Sequence, residues 1–294
     1  MISPSHGYFI ITAHIGAAID NSDAAVKFNF PIQHGSMEIT MRRLLLLLIF
    51  TLSFIPNVLF SEEKSETAPV SLYKPNYITI DPEDLDLKFQ LSYRIRLYEF
   101  SKSWSVFISH THKAYWAITT EESAPFREHN FNPEIHFRWK NPESSLFLKH
   151  VQIGFEHEST GVAGSESRSW NRLTGQVEWT YFSEDHSTPG HVHAYLRGWK
   201  IVDKDDDNNQ DIKDHLGPGE IRISYVLHKA PNILAQSEVA ITMRIHSIMF
   251  EYGFNAPGPD FLWYIQYWNG RGEWLVGYNE DTSILRAGIK FSVH

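Results

Sequence analysis

The stretch VQIGFEHESTGVAGSESRSWNR, residues 151–172, carries the pattern that decides how this chain folds. In an extended strand successive side chains point to opposite sides. Val151, Ile153 and Phe155 therefore share one face, and His157 and Ser159 continue it. Gln152, Gly154 and Glu156 occupy the other. After a Gly- and Ser-containing segment, a second strand sets Asn171, Leu173, Val177 and Trp179 on one face, with Arg172, Thr174, Gln176 and Glu178 opposite. One side of this hairpin is apolar and the other charged, yet three polar residues stand on the apolar side.

The same alternation recurs outward from this hairpin. In KFQLSYRIRL, Phe89, Leu91, Tyr93, Ile95 and Leu97 alternate with Lys88, Gln90, Ser92, Arg94 and Arg96. It returns near residues 135–139, 192–198, 221–227, 248–254, 261–267 and 285–293, while helical periodicity is weak throughout. The pattern predicts an all-β protein. Counting a short first strand at residues 77–80 gives twelve antiparallel strands.

Two architectures share this pattern and differ in which face is dry. A small soluble barrel fills its interior with apolar side chains. A transmembrane β-barrel turns its apolar face to lipid and keeps charges in the lumen. The charged second faces favour the membrane barrel. Trp104, Tyr115, Trp116, Trp199, Trp263, Tyr264, Trp268 and Trp274 are then expected in two aromatic girdles. The last strand ends Phe291-Ser292-Val293-His294, without the terminal aromatic common in such barrels.

Composition agrees with this class. The 294 residues hold no cysteine, which excludes a disulfide scaffold and a thiolate metal site. A net charge of -9 offers no footprint for nucleic acid. MRRLLLLLIFTLSFIPNVLFS, residues 41–61, resembles a secretory signal peptide: Arg42 and Arg43 precede an apolar run that Pro56 breaks. Leu59-Phe60-Ser61 departs from the usual small-x-small cleavage pattern. Residues 1–40 are expected to be an upstream extension from a mis-called start, with an internal signal-anchor as the alternative. Residues 62–294 are expected to form the mature barrel domain.

The polar trio has a chemical reading. A serine hydroxyl is too weakly acidic to attack an ester unaided, so an imidazole must take its proton and a third group must orient that imidazole. His157 and Ser159, two apart on one strand, have Cβ atoms roughly 6–7 Å apart. A hairpin brings Asn171 beside His157 as a cross-strand neighbour. A neutral amide costs less than a carboxylate in hydrocarbon. H-x-S alone is a weak signal, and the bland reading places these residues at the membrane–water boundary, where polar side chains are ordinary.

H-E-S at residues 157–159, followed by S-R-S-W-N-R at 167–172, is similar to the signature of the outer membrane phospholipase A family. YKPNY at 73–77, KFQLS at 88–92 and SAPFRE at 123–128 occur in the same order. The resemblance spans most of residues 73–294. It implies a twelve-stranded barrel of the bacterial outer membrane with a calcium-dependent phospholipase A1/A2 site on its lipid-facing wall. His157 would be the base, Ser159 the nucleophile and Asn171 the orienting residue. Phospholipid would be the substrate, and the active form a homodimer. The resemblance further implies calcium held by Ser167, by the backbone of Val162 (where the family usually has arginine) and by Ser123 of the partner subunit. Asp207, in the acidic run at residues 203–211, corresponds loosely to a further ligand; a plain solvated loop is the competing reading. A non-enzymatic porin or structural barrel is the alternative to the enzyme.

One departure concerns the dimer. His112 shares a face with Trp104, Val106 and Ile108, where the resemblance implies an interface glutamine. Histidine titrates near neutral pH, so dimerisation is expected to weaken on acidification, unless His110 and His112 simply face lipid headgroups.

Overall fold

The structure, a computed structural model, describes residues 69–119, 123–142, 147–182, 190–205, 207–227, 237–255 and 261–291. The expected extension 1–40 and signal peptide 41–61 lie outside the described residues.

Alternation builds thirteen strand segments there: β1 Val70–Leu72, β2 Asn76–Ile80, β3 Leu87–Ser101, β4 Trp104–Trp116, β5 Phe126–Lys140, β6 Leu148–Ser159, β7 Ser169–Phe182, β8 Gly190–Lys204, β9 Gly219–Leu227, β10 Ser237–Arg244, β11 Ser247–Phe254, β12 Leu262–Gly270 and β13 Thr282–Phe291. Each pairs antiparallel with its neighbours, and β13 returns to pair with β2. β1 and β2 both lie on β3, through Val70↔Ile95 and Tyr77↔Gln90, and so share one place in the ring. The result is a closed barrel of twelve strand positions, without the open edge that would recruit other chains.

The faces sort as a membrane barrel requires. Along β5, Glu128, Asn130, Asn132, Glu134, His136 and Arg138 are buried, while Phe131, Ile135 and Phe137 between them are exposed. Along β6, Ile153 is 65% exposed beside a buried Gln152. The polar face lines the lumen and the apolar face lies outside, the reverse of a soluble barrel.

Ion pairs cross the lumen, around a remaining cavity of about 1030 Å³. Between β1 and β2 the chain leaves the ladder, and Tyr73 and Lys74 turn inward. The Tyr73 hydroxyl donates to Glu134 at 2.9 Å, and the Lys74 ammonium meets Glu156 at 3.2 Å. Arg197 bridges Glu134 and Glu156 at 3.1 and 3.2 Å. At one mouth the connections β8–β9 and β12–β13 fold over the lumen. The first contains a short helix, α1 (Ile212–Leu216). Ile212, Leu216, Leu275 and Tyr278 pack with Trp170 into an apolar cap, and the Glu128 carboxylate accepts the backbone N–H groups of Leu275 and Val276 at 2.6 and 2.8 Å.

The girdle expectation needs correction. Trp104 and Trp263 are exposed on the outer wall, and Trp116 stacks there on Phe126. Tyr115, Tyr264 and Trp268 are buried toward the lumen; the Tyr264 hydroxyl donates to Glu251 at 2.5 Å. Trp199 lies against Trp170, and Trp274 reaches Tyr115 from the cap. Parity is the reason: with Trp263 and Ile265 outside, residues 264, 266 and 268 must point in. Closeness to a strand end does not override the pleat.

Candidate active site

β6 ends and β7 begins at the capped mouth. Their register sets His157 opposite Asn171 and Ser159 opposite Ser169. His157 Nδ1 and Asn171 Oδ1 lie 2.9 Å apart, so the imidazole N–H donates to the amide oxygen. Ser159 is half-buried on the same outer face as His157, and its neighbour on β5 is Phe131. The three residues therefore share the wall that faces lipid; a hydrogen bond joins His157 to Asn171 there, and none among the described residues joins Ser159 to His157.

The inner face of this hairpin anchors it. Arg172 pairs with Glu156 and Glu158 at 2.9 and 2.8 Å and lies over the Trp170 ring, 3.8 Å from its centroid. The Trp170 indole N–H donates to Glu158 at 2.9 Å. Side chains alternate in and out, so these buried contacts hold the backbone from which His157, Ser159 and Asn171 project.

The connecting loop is wound around Thr160. This buried residue donates its hydroxyl to the Glu166 carbonyl at 3.2 Å and accepts the Arg168 N–H at 3.1 Å. Gly161 turns the chain at φ 68, a left-handed conformation that glycine adopts freely. A Cβ there would meet the Phe131 ring at 2.7 Å. Gly164–Glu166 forms a single 3-10 turn, and Val162 is exposed.

Of the residues expected to hold calcium, Ser167 and Val162 share this loop. The carboxylate that the structure brings to the Ser167 side chain is that of Asp205. Asp205 also accepts the side-chain amide of Asn208 and the backbone N–H groups of Asp207 and Asn208, and these donors, Asn208 first, hold its carboxyl below the usual range. Asp207 is exposed and, among the described residues, meets Asp205 through that backbone N–H. Ser123, at φ 76 in the β4–β5 connection, makes no hydrogen bond to the β6–β7 loop among the described residues. No cluster of three or more His, Asp or Glu side chains among the described residues has metal-binding placement. The donors here are hydroxyl, carboxylate and carbonyl oxygens, the set a hard cation such as calcium accepts.

Two further neighbours escaped the sequence reading. Asn171 Nδ2 donates to Asp203 Oδ2 at 3.1 Å. The β7–β8 register steps from Arg172↔Ile201 to Asn171↔Asp203, leaving Val202 as the extra residue of a β-bulge. Strict alternation from Leu196 would send Asp203 into the lumen; the bulge turns it outward. Across the wall, His112 is hydrogen-bonded to His129 at 3.0 Å and stacks on Phe131. No sequence period links His112 to His129, because the contact runs diagonally between strands.

Comparison with known proteins bears on the fold and the family. A family profile described as phospholipase A1 matches residues 33–291. Phospholipase A1 of Escherichia coli K12 is 27% identical over 210 residues, covering 69% of this chain and 68% of that protein. The Klebsiella pneumoniae phospholipase A1 is 28% identical, covering 69% of each. Among solved structures, outer membrane phospholipase A from Escherichia coli superposes with a TM-score of 0.61 at 22% identity, covering 76% of this chain and 99% of that one. The Salmonella typhi outer membrane phospholipase dimer with bound calcium gives 0.60 at 21% identity, covering 75% and 91%. These superpositions establish a common fold, and the profile match, spanning most of the sequence, shows that the chain belongs to the phospholipase A1 family.

Proposed function

We propose that this chain is a calcium-dependent phospholipase of the bacterial outer membrane that cleaves acyl esters of phospholipids and lysophospholipids, with A1 and A2 activity. The observation that carries the reading is the His157–Asn171 hydrogen bond on the lipid-facing wall, with Ser159 beside it. A lumen crossed by Tyr73, Lys74 and the mouth cap favours an enzyme over a porin.

The chemistry follows from the proton positions. Asn171 Oδ1 accepts from His157 Nδ1–H, so Nε2 keeps its lone pair and serves as base. Ser159 Oγ attacks the acyl carbonyl and His157 Nε2 takes its proton. When the carbon–oxygen bond to the glycerol breaks, His157 returns that proton to the departing alkoxide, leaving an acyl-Ser159 ester. Water then attacks that ester, giving its proton to His157, and the fatty acid leaves as Ser159 recovers its hydrogen. Asn171 keeps the imidazole in one tautomer through both halves and bonds the imidazolium formed in each. An active-site asparagine is also the residue replaced in a solved mutant of the Escherichia coli enzyme.

In this reading calcium would be held by the Ser167 hydroxyl, the Val162 carbonyl and the carbonyl of Ser123 of the partner subunit, with negative charge from the β8–β9 connection. The Ser167–Asp205 contact supports that connection's part through Asp205 more directly than through Asp207. When bound, the cation supplies positive charge where the oxyanion develops. A ligand set drawn from two chains makes the homodimer the active form.

The test is fatty-acid release from detergent-solubilised phospholipid. Release is expected with calcium, and neither after chelation nor in Ser159→Ala. Release that survives Ser159→Ala removes the proposed nucleophile.

A further inference from the structure

We infer that Asp203 is a positioning residue of this site, setting the amide of Asn171 and through it the tautomer of His157. The inference rests on the Ser159–His157–Asn171 reading and extends it by one residue.

The hydrogen-bond inventory forces the direction of the chain of donors. An ionised carboxylate only accepts, so the Asn171 group facing Asp203 Oδ2 at 3.1 Å is its NH2. That leaves Oδ1 toward His157, where it lies 2.9 Å from Nδ1. Nδ1 must then carry the ring hydrogen and Nε2 must be bare. A primary amide is nearly symmetric in shape, and nothing in its own geometry prefers one flip. Turned over, Asn171 would offer NH2 to Nδ1 and select the tautomer with its hydrogen on Nε2, which cannot deprotonate Ser159. Asp203 breaks that symmetry.

The fold shows how the residue reaches its place. Without the bulge at Val202, the pleat would set Asp203 on the lumen face with Arg197 and Trp199. Bulges recur beside active sites because they re-aim one side chain. Asp203 is exposed, at the end of β8 where the wall meets the loops, so its charge need not be buried in hydrocarbon.

Its charge has a second consequence. In the outer row around His157, the β7 neighbour is the neutral Asn171, and Phe131 and Ile135 on β5 are apolar. Glu156 and Glu158 flank His157 in sequence but face inward onto Arg172. On β8, Lys200 lies opposite Leu173, further along the strand. His110, His112 and His129 lie beyond Phe131. Asp203 is thus the carboxylate joined to His157 by hydrogen bonds, one amide away, and it favours the imidazolium that forms in each half-reaction.

The experiment uses the full chain in mixed micelles with calcium, reading kcat and KM across pH together with the rate of Ser159 labelling by a fluorophosphonate. Heat-modifiable gel migration verifies that each variant forms its barrel. Asp203→Ala is expected to lower kcat about tenfold, the weight of one charge-assisted hydrogen bond. KM and the calcium concentration for half-activity should stay unchanged, and the acid limb of kcat/KM should move to lower pH. Asp203→Asn keeps an acceptor but not the charge, so part of kcat should return while the acid limb stays displaced. An unchanged kcat and acid limb in Asp203→Ala would overturn the inference. So would full recovery of that variant by excess calcium, which would make Asp203 a cation-site residue. Activity in Ser159→Ala, measured alongside, would instead bring down the triad reading itself.

Discussion

The two faces of the β6–β7 hairpin are built from alternate residues of the same strands, yet they treat polar groups in opposite ways. Inside, Glu156, Glu158 and Arg172 are packed into mutual ion pairs and closed over by Trp170. Outside, His157, Ser159 and Asn171 stand on a wall otherwise made of Ile153, Phe155 and Leu173, with one hydrogen bond, His157 to Asn171, among them. Polar groups inside are drawn into mutual ion pairs that hold the barrel. Those outside keep hydrogen-bonding capacity unspent in an apolar setting, which is where a side chain can act on a lipid ester. Partner count, more than polarity, separates architecture from chemistry here.

Paired substitutions test that division most strongly. On the outer face, Ser159→Ala should lower the turnover of fatty-acid release roughly 10⁴-fold or more, as loss of a nucleophile does, and leave the urea midpoint of the folded barrel in place. Arg172→Ala, on the inner face, should do the reverse first. It takes the guanidinium from Glu158, leaving that carboxylate the Trp170 indole N–H, and weakens the set around Glu156, at a cost of about 3 kcal/mol, read as an earlier urea midpoint. A shifted midpoint in Ser159→Ala, or an unshifted one in Arg172→Ala, would break the comparison.

How far the sequence discloses these two faces follows from where its period holds. Through β6 and β7 alternation runs unbroken from Val151 to Ser159 and from Ser169 to Val177, so the period alone assigns His157, Ser159 and Asn171 to the outer wall. The barrel and its twelve positions are legible for the same reason. Asp203 is not, because a single extra residue at Val202 reverses the parity. The acidic neighbour of Ser167 is set by turn hydrogen bonds around Asp205, which have no period, so Asp207 is an equally good choice on paper. Tyr73 and Lys74 read as the approach to a first strand, and only their lumen partners reveal that they turn into the barrel.

Between the faces lies the turn that joins them. Gly161→Ala places a Cβ at φ 68 and against Phe131, the β5 neighbour of Ser159. The left-handed backbone alone costs about 1–2 kcal/mol, and relieving the contact requires the end of β6 or the Phe131 ring to move. Several-fold slower Ser159 labelling by a fluorophosphonate is expected, with the inner-face ion pairs intact. A labelling rate equal to that of the parent chain would show that the loop does not set the serine.

A smaller effect is expected further around the outer wall. The His112–His129 hydrogen bond needs one ring nitrogen without a hydrogen. Protonation of both rings removes that acceptor and sets two like charges side by side, on the face the proposed dimer would bury. Cross-linking between copies should therefore fall from neutral to strongly acidic pH, and His112→Gln should flatten the dependence. A yield that ignores pH in the parent chain would remove His112 from the dimer argument.

The smallest expected effect asks whether the mouth cap belongs to the inner architecture alone. Tyr278 packs in the cluster with Trp170, and its hydroxyl donates to Asp211. That hydrogen bond, with a second from His215, holds the Asp211 carboxyl below its ordinary range. Burial, and the same bond to Asp211, push the Tyr278 phenol up to about 12. The signs give a window. A depressed carboxyl adds stability above the ordinary aspartate pKa of about 3.9 and loses it as pH falls through the folded value. A raised phenol adds stability below its ordinary pKa of about 10 and loses it as pH rises through the folded value. The contact therefore holds across the neutral range and fails at both extremes. Asp211 is 52% exposed, so solvent screening limits its worth to a few tenths of a kcal/mol. Tyr278→Phe should speed backbone hydrogen exchange in α1 slightly at neutral pH and by less in acid, where the parent contact is already lost. Fatty-acid release should not change, since the site hangs from β6 and β7 rather than from the cap. A loss of turnover in Tyr278→Phe would mean that the cap reaches through Trp170 to the catalytic face, and that the two faces are less separate than their hydrogen bonds suggest.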